Sequence, residues 1–402
     1  MLRTYYDSAS APRGATGQPT TRHVPLPSNT PVWDDGRWPG LPVLESELDA
    51  DHCVIGLGGS GLSCVRELLA LGRTVIGIDA GEVAAGAAGR NGGILRPGIA
   101  GFHHDAVRAI GRERAVRIRQ LTADEIERFA ADTPGAVRVT GWLRLAVSDE
   151  EYADCLNERD AMRADGFRAD VYDGPLGRGI AMADGGVIQP LERCRVLARD
   201  AAARGARLFE HTRALSFAHD DVRTSRGSIR CGSVIIAVDG GLESLVPELK
   251  GTVRTARLQM VATAPASEVT LPCPVSLNFG FDYAQQLPSG IVVAGGGRDR
   301  EMDAEWTEAS EPTSGIQRHI DRLVRERLGI RAAVTHRWAA SVSYTTTGLP
   351  VLAEVRPGLW VIGGYSGTGN LLGTLAGRAV ARASCGERCE FASLLARPAA
   401  RA

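Results

Sequence analysis

Apolar positions cluster at residues 53–55, recur at helical spacing in Leu62, Val65, Leu68 and Leu69, and cluster again at 74–78. This pattern predicts a strand, an amphipathic helix capped by Gly72, and a second strand. Further along it predicts one or two helices over 103–131, stopped by the Pro134-Gly135 turn, a strand over 142–147 and a helix over 150–165. A helix over 191–204 follows, then short strands at 208–209 and 214–217, and a longer one over 229–238 that ends in Asp239-Gly240-Gly241. Residues 252–297 alternate β-prone segments with Pro and Gly, as an antiparallel sheet does. A helix over 315–328, a strand over 359–362, a glycine loop over 363–369 and a closing helix over 370–383 complete the reading. Residues 81–93 are too rich in Gly and Ala for a regular element and read as a loop.

The first strand runs into Gly56, Gly58 and Gly61 in G-x-G-x-x-G spacing, and the second strand ends in Asp79. Gly56 suits the tight turn, Gly58 a close approach of pyrophosphate to the backbone, and Gly61 close packing of helix on strand. Gly59 and Ser60 open the helix, where unpaired N–H groups and the helix dipole favour phosphate. Asp79 is placed to accept from a ribose hydroxyl, which favours an adenine dinucleotide without a 2′-phosphate; Ala80 and Gly81 follow it in the same turn. Taken alone, the motif leaves NAD and FAD both open.

Composition changes this picture little. The chain has 402 residues, 44% of them apolar, and a formal net charge of −1, which gives no electrostatic reason to expect nucleic acid or an anionic membrane. No apolar run reaches the length of a spanning helix, and residues 1–30, rich in Ser, Thr, Pro and Gly, read as a flexible tail, so the expected location is the cytoplasm. Lys250, beside the Pro247 turn and expected to face solvent, is the only lysine, so positive charge rests on arginine, which suits bidentate recognition of carboxylate or phosphate. His103, His104 and His336 have no third ligand at metal spacing, and no metal is expected.

The stretch after Asp79, AGEVAAGAAGRNGGILRPG, resembles the second flavin motif of the D-amino-acid oxidase superfamily of FAD enzymes, which includes glycine, sarcosine and gamma-glutamylputrescine oxidases. The block Gly86-Ala87-Ala88-Gly89-Arg90-Asn91-Gly92-Gly93, followed by Ile94, and the upstream Pro31-Val32-Trp33 are most similar to the last of these. Gln189-Pro190, Ala214, Ala237-Val238-Asp239-Gly240 and the run from Trp338 to Pro350 resemble middle segments of the family, with Ala214 where a small residue touches adenine. Gly363-Gly364-Tyr365-Ser366-Gly367-Thr368-Gly369, leading into Asn370 and Leu371, resembles its final flavin loop. The resemblance implies noncovalent FAD, since no cysteine lies beside that loop. It implies an α/β fold whose Rossmann-like FAD-binding domain is assembled from 31–100, 184–245 and 336–385. A substrate domain with an antiparallel sheet would come from 101–183 and 246–335, with 386–402 as a C-terminal tail.

Several family positions differ here. Val342 stands where glycine oxidases carry a carboxylate-binding arginine, Leu371 where sarcosine oxidases have a lysine, Thr368 replaces a histidine and Thr347 an aspartate. Arg96 is the expected replacement for carboxylate recognition, and Tyr344, Tyr365, Phe279 and Phe281 are the expected walls of the substrate cavity. The resemblance implies oxidation of an amine or amino acid, such as an N-substituted glycine or a larger biosynthetic intermediate, to an imine that hydrolyses, with O2 as acceptor. The expected assembly is a monomer or homodimer. A polyamine-type oxidase, a flavin dehydrogenase with another acceptor, and a non-catalytic dinucleotide-binding regulator stay open; acidic residues in the cavity would favour the first, and Arg96 at the flavin end an acid substrate.

Overall fold

In the computed structural model, which describes residues 29–396, short runs of Val and Ile form a mixed sheet around the strand Glu47–Ile55. That strand is parallel to Val75–Ile78 on one side and to Ser228–Ile236 on the other. Arg207–Phe209 extends the sheet beyond Val75–Ile78, and Leu359–Gly363 extends it beyond Ser228–Ile236. Two antiparallel additions complete it: Val351–Arg356 on Leu359–Gly363, and Asp221–Arg223 with Ser216–Phe217 on Ser228–Ile236. Neighbouring strands thus come from distant parts of the chain, and apolar runs such as Val75–Ile78 are buried on both faces, as parallel strands require.

Helices cover this sheet. Gly59–Ala70 packs against Gly369–Ser384, and a Cβ on Gly377 would lie 2.2 Å from the Ser60 carbonyl oxygen, so only glycine permits that approach. Of the one or two helices expected over 103–131, the structure has two, His103–Ile110 and Arg112–Asp132, because Gly111 between them takes φ +86°. Glycine carries that backbone without the Cβ clash other residues would meet.

The second sheet has eight strands and is antiparallel except where Trp142–Leu145 lies parallel to Val275–Leu277. Its long pair is Val253–Pro265 with Val334–Thr345. The boundary expected at 336 therefore falls inside a strand of this sheet, because backbone pairing rather than motif position decides where 334–345 goes. Ala169–Gly174 and Gly177–Met182, a hairpin absent from the sequence reading, form the far edge. A small third sheet joins Ile94–Leu95 and Val137–Val139 through Gly186–Ile188. The expected C-terminal tail contains the helix Glu390–Leu395, which buries Phe391 against the core. Most of the expected N-terminal tail lies outside the described residues. Among the described residues, no helix is long and apolar enough to cross a membrane, and no cluster of side chains could hold a metal.

Candidate cofactor and substrate site

A cavity of about 660 Å³ lies between the two large sheets. At one end the helix Gly59–Ala70 starts with Gly58 as N-cap, no side-chain cap and no acid in its first turn. Its first N–H groups are thus left for a ligand. Gly56, Gly58, Gly59 and Ser60 line the cavity here, whereas Gly61 does not. A Cβ on Gly61 would lie 1.8 Å from the Gly56 carbonyl oxygen, so this glycine serves the packing of helix on strand.

Asp79, Ala80 and Gly81 form the adjoining wall. The Asp79 carboxylate accepts from the Leu57 N–H at 2.8 Å and the Gly81 N–H at 2.9 Å, which fixes its orientation toward the cavity. Burial pushes its pKa up, and those two N–H groups pull it back. Ala214 is not part of the wall; Arg213 is. The Thr212 N–H is tied to the Asp79 carbonyl at 2.7 Å, and Ala214 beyond it packs into the apolar cluster with Phe209 and Phe217.

The loop 86–94 contains a short helix, Ala87–Arg90, and two tryptophans hold its end. Trp338 Nε1 donates to the Arg90 carbonyl at 2.7 Å and Trp33 Nε1 to the Asn91 carbonyl at 2.9 Å. Arg90 itself is a strut: its Nε donates to the Ala339 carbonyl at 2.7 Å and its Nη2 to the Asn29 carbonyl at 2.7 Å. The Asn91 and Asn370 amides hydrogen-bond each other at 3.1 Å in both directions, joining this loop to the start of the helix Gly369–Ser384. Gly86, Ala87, Gly92 and Ile94 line the cavity, while Gly93 sits behind it, where a Cβ would meet the Ile188 carbonyl oxygen at 2.3 Å.

The final loop is organised by Asp239, which lines the cavity beside Ala237 and Gly240. Its carboxylate accepts from Gly364 N–H at 2.9 Å, Tyr365 N–H at 3.4 Å and Ser343 N–H at 3.1 Å. Burial pushes its pKa up to about 6, against the pull of those N–H groups. Gly364 packs behind the wall on Thr345, while Gly367, Thr368, Gly369, Asn370 and Leu371 face the cavity. The helix Gly369–Ser384 also begins without a side-chain cap or a first-turn acid. Tyr365 borders the cavity, but its ring packs on Gly369 and Gly373, and its hydroxyl lies beside Ser60 at the glycine turn without hydrogen-bonding geometry. It belongs to the cofactor end more than to a substrate wall.

The antiparallel sheet closes the other side with Leu258, Met260, Tyr283, Val342 and Tyr344. Arg96 enters from the strand Ile94–Leu95, its guanidinium 5.5 Å from the Trp142 ring. Arg298, only 3% exposed, stands over Tyr344 at 4.5 Å and Trp306 at 4.7 Å. Phe281 lines the cavity, but Phe279 is displaced to pack edge-on against Phe102. The cause is local: Asn278 and Phe279 take φ of +51° and +56°, which breaks the strand alternation before Asp282–Gln286 begins. Arg298, Trp142 and Tyr283 escaped the sequence reading; Tyr283 alone had a signal, the period-two spacing from Phe281. Lys250 is exposed, as expected.

The donor set fits a flavin adenine dinucleotide. Two uncapped helix N-termini suit its diphosphate and the electron-rich edge of its ring, and Asp79 suits its ribose. A Cβ on Gly92 would reach the Tyr283 ring at 3.0 Å, so the glycine loop leaves room for a flat ring where a side chain would crowd the cradle. Such a cavity, built from loops at the carboxyl ends of parallel strands and roofed by a second sheet, has the form of a dinucleotide-binding site. The chain belongs to the FAD dependent oxidoreductase family, DAO, whose model matches residues 51–383. It is 28% identical over 380 residues to the probable oxidoreductase OrdL of Rhizobium meliloti, covering 88% of this chain and 87% of that protein. It is 23% identical to the gamma-glutamylputrescine oxidoreductase of Escherichia coli, covering 87% and 86%. Its fold matches the glycine oxidase from Geobacillus kaustophilus with a TM-score of 0.72 at 20% identity, over 88% of this chain and all of that one (100%).

Proposed function

We propose that the protein oxidises the C–N bond of an amine bearing a carboxylate, giving an imine that water hydrolyses, with O2 as acceptor. The carrying observation is the charge of the cavity wall. Its sheet side holds Arg96 and Arg298 among aromatic rings, and its two acids, Asp79 and Asp239, are both engaged by backbone N–H groups beside the cofactor motifs. Buried arginines recognise carboxylates through paired, charge-assisted hydrogen bonds. A polyamine would need acids on that wall, and among the described residues it has none beyond those two.

FAD, when bound, supplies the two-electron acceptor. The chain's own residues do the rest. Arg96 holds the acid, Tyr344, Tyr283 and Phe281 exclude water, and the uncapped helix at Gly369 stabilises negative charge that develops beside it. No lysine is available in the cavity for a base, which suits an amine that enters neutral.

The test is anaerobic mixing with a panel of N-substituted glycines and amino acids, each paired with the same amine lacking its carboxylate. Bleaching of the flavin band by the acids and not by their partners supports the reading, and reoxidation in air supports O2 as acceptor. Bleaching by the uncharged amines alone would sink it. Arg96→Met is expected to raise KM for the acid substrate by about 10-fold or more, the loss of a charged hydrogen bond.

A further inference from the structure

Arg193 takes no part in the roles assigned so far. It lies on the helix Pro190–Ala203, is 4% exposed, and lines the same cavity as the glycine turn. Its guanidinium stacks on Phe129 at 3.5 Å from the ring centre, and its Nε has no protein hydrogen-bond partner. The two acids nearest in charge are already taken: Glu125 by Arg378, and Asp132 by Arg66 at 3.0 Å. A buried cation without a paired acid is costly, and burial holds the Arg193 pKa down to about 10.

Helix geometry says what this cation faces. Glu47–Ile55, Val75–Ile78 and Arg207–Phe209 are parallel strands. The helix Gly59–Ala70 joins the first two, and Pro190–Ala203 leads into the third, so both helices run against the strands and alongside each other. Arg66 Nε donates to Asp200 at 2.8 Å and fixes their register. About two turns nearer the start of each helix stand Gly59 and Arg193, both in the cavity wall. Arg193 is thereby brought beside the uncapped N-terminus of the first helix, where the glycine turn would receive phosphate.

We propose that the Arg193 guanidinium binds the diphosphate of FAD, adding a full charge to the partial charge of the helix end. The inference rests on the chain holding FAD. It makes Arg193 a group that weakens the apoprotein and strengthens the complex, a combination that a purely structural arginine does not produce.

The experiment compares wild type, Arg193→Met and Arg193→Lys as full-length, deflavinated proteins, by thermal midpoint and by titration with FAD and with riboflavin, which lacks phosphate. Expected for Arg193→Met are an apoprotein midpoint equal to or above wild type, FAD affinity lower by about 10-fold or more, and riboflavin affinity within about 2-fold. Arg193→Lys should recover part of the FAD affinity. Equal weakening of FAD and riboflavin, unchanged FAD affinity, or an Arg193→Met apoprotein that unfolds would each overturn the proposal. Wild type unable to take up FAD at all would defeat the premise, and is read from the control arm before any variant is compared.

Discussion

Asn91 and Asn370 exchange two hydrogen bonds of 3.1 Å through their side-chain amides, across 279 positions of sequence. The pair fastens the loop after the second strand to the first turn of the helix Gly369–Ser384, two segments that both line the cavity. Asn91 also accepts from the Gly93 N–H at 2.8 Å and donates to the Ala88 carbonyl at 2.8 Å, so it orders its own loop as well.

Asn91→Ala and Asn370→Ala should therefore each lower flavin retention. A double-mutant cycle read from the holoprotein's urea midpoint is expected to give a coupling of about 1 kcal/mol. Additive losses would show that the two amides act independently.

Gly61→Ala introduces a Cβ 1.8 Å from a backbone oxygen, which no side-chain rotation relieves. The expected cost is several kcal/mol, about 3 or more, with loss of bound flavin. At Gly86 a Cβ meets nothing within 4 Å. Gly86→Ala should leave the apoprotein's unfolding free energy within about 0.5 kcal/mol of wild type. Denaturant titration of both apoproteins checks the contrast.

Arg257 and Glu305 form a buried pair at 2.7 Å beneath the sheet that roofs the cavity, and Gln259 donates to the same carboxylate at 3.1 Å. Arg257→Met leaves that carboxylate buried without its cation and should cost about 3–5 kcal/mol. The double variant Arg257→Met with Glu305→Met should recover most of the loss, since it removes the stranded charge. Chemical denaturation of the three variants provides the comparison.

Asp239 gives a pH dependence whose sign is fixed by its burial. Its folded pKa, about 6, lies above the ordinary value of 3.8, so the folded state holds this proton more tightly than the unfolded chain. The stabilisation is fully present below 3.8 and is lost as pH rises through about 6. At about 1.4 kcal/mol per pKa unit, the difference is large enough to read in the apoprotein. Asp239→Asn should flatten the fall in apoprotein stability between pH 4 and 6 relative to wild type, as measured by thermal melts across that range. Identical slopes would show that the carboxyl titrates elsewhere.

The cofactor end was legible in sequence because its determinants are local. Gly56, Gly58, Gly61 and Asp79 act through one turn, one helix start and one strand end, each visible in spacing. The final loop, Gly363 to Gly369, was legible for the same reason, and the FAD-binding fold followed from the two motifs together. The substrate side was much less so. Arg298 and Trp142 reach the cavity by packing of elements remote in sequence, and nothing in their neighbours marks them; at the cofactor end Arg193 escapes for the same reason. Phe279 was misplaced by two residues of left-handed backbone, which periodicity does not reveal, and Ala214 by a turn that presents Arg213 instead. The domain boundary expected at 336 cuts the strand Val334–Thr345, because its partner, Val253–Pro265, is invisible to motif order.

The mixed sheet has a consequence in the order of synthesis. The glycine turn is made before the strand Leu359–Gly363 and the helix Gly369–Ser384, which complete its sheet and cover its first helix. A chain cut before residue 363 keeps the glycine turn and lacks the loop Gly363 to Gly369. Such a chain is expected to purify without the yellow of bound flavin that the longer chain should carry, a difference that an absorbance spectrum checks.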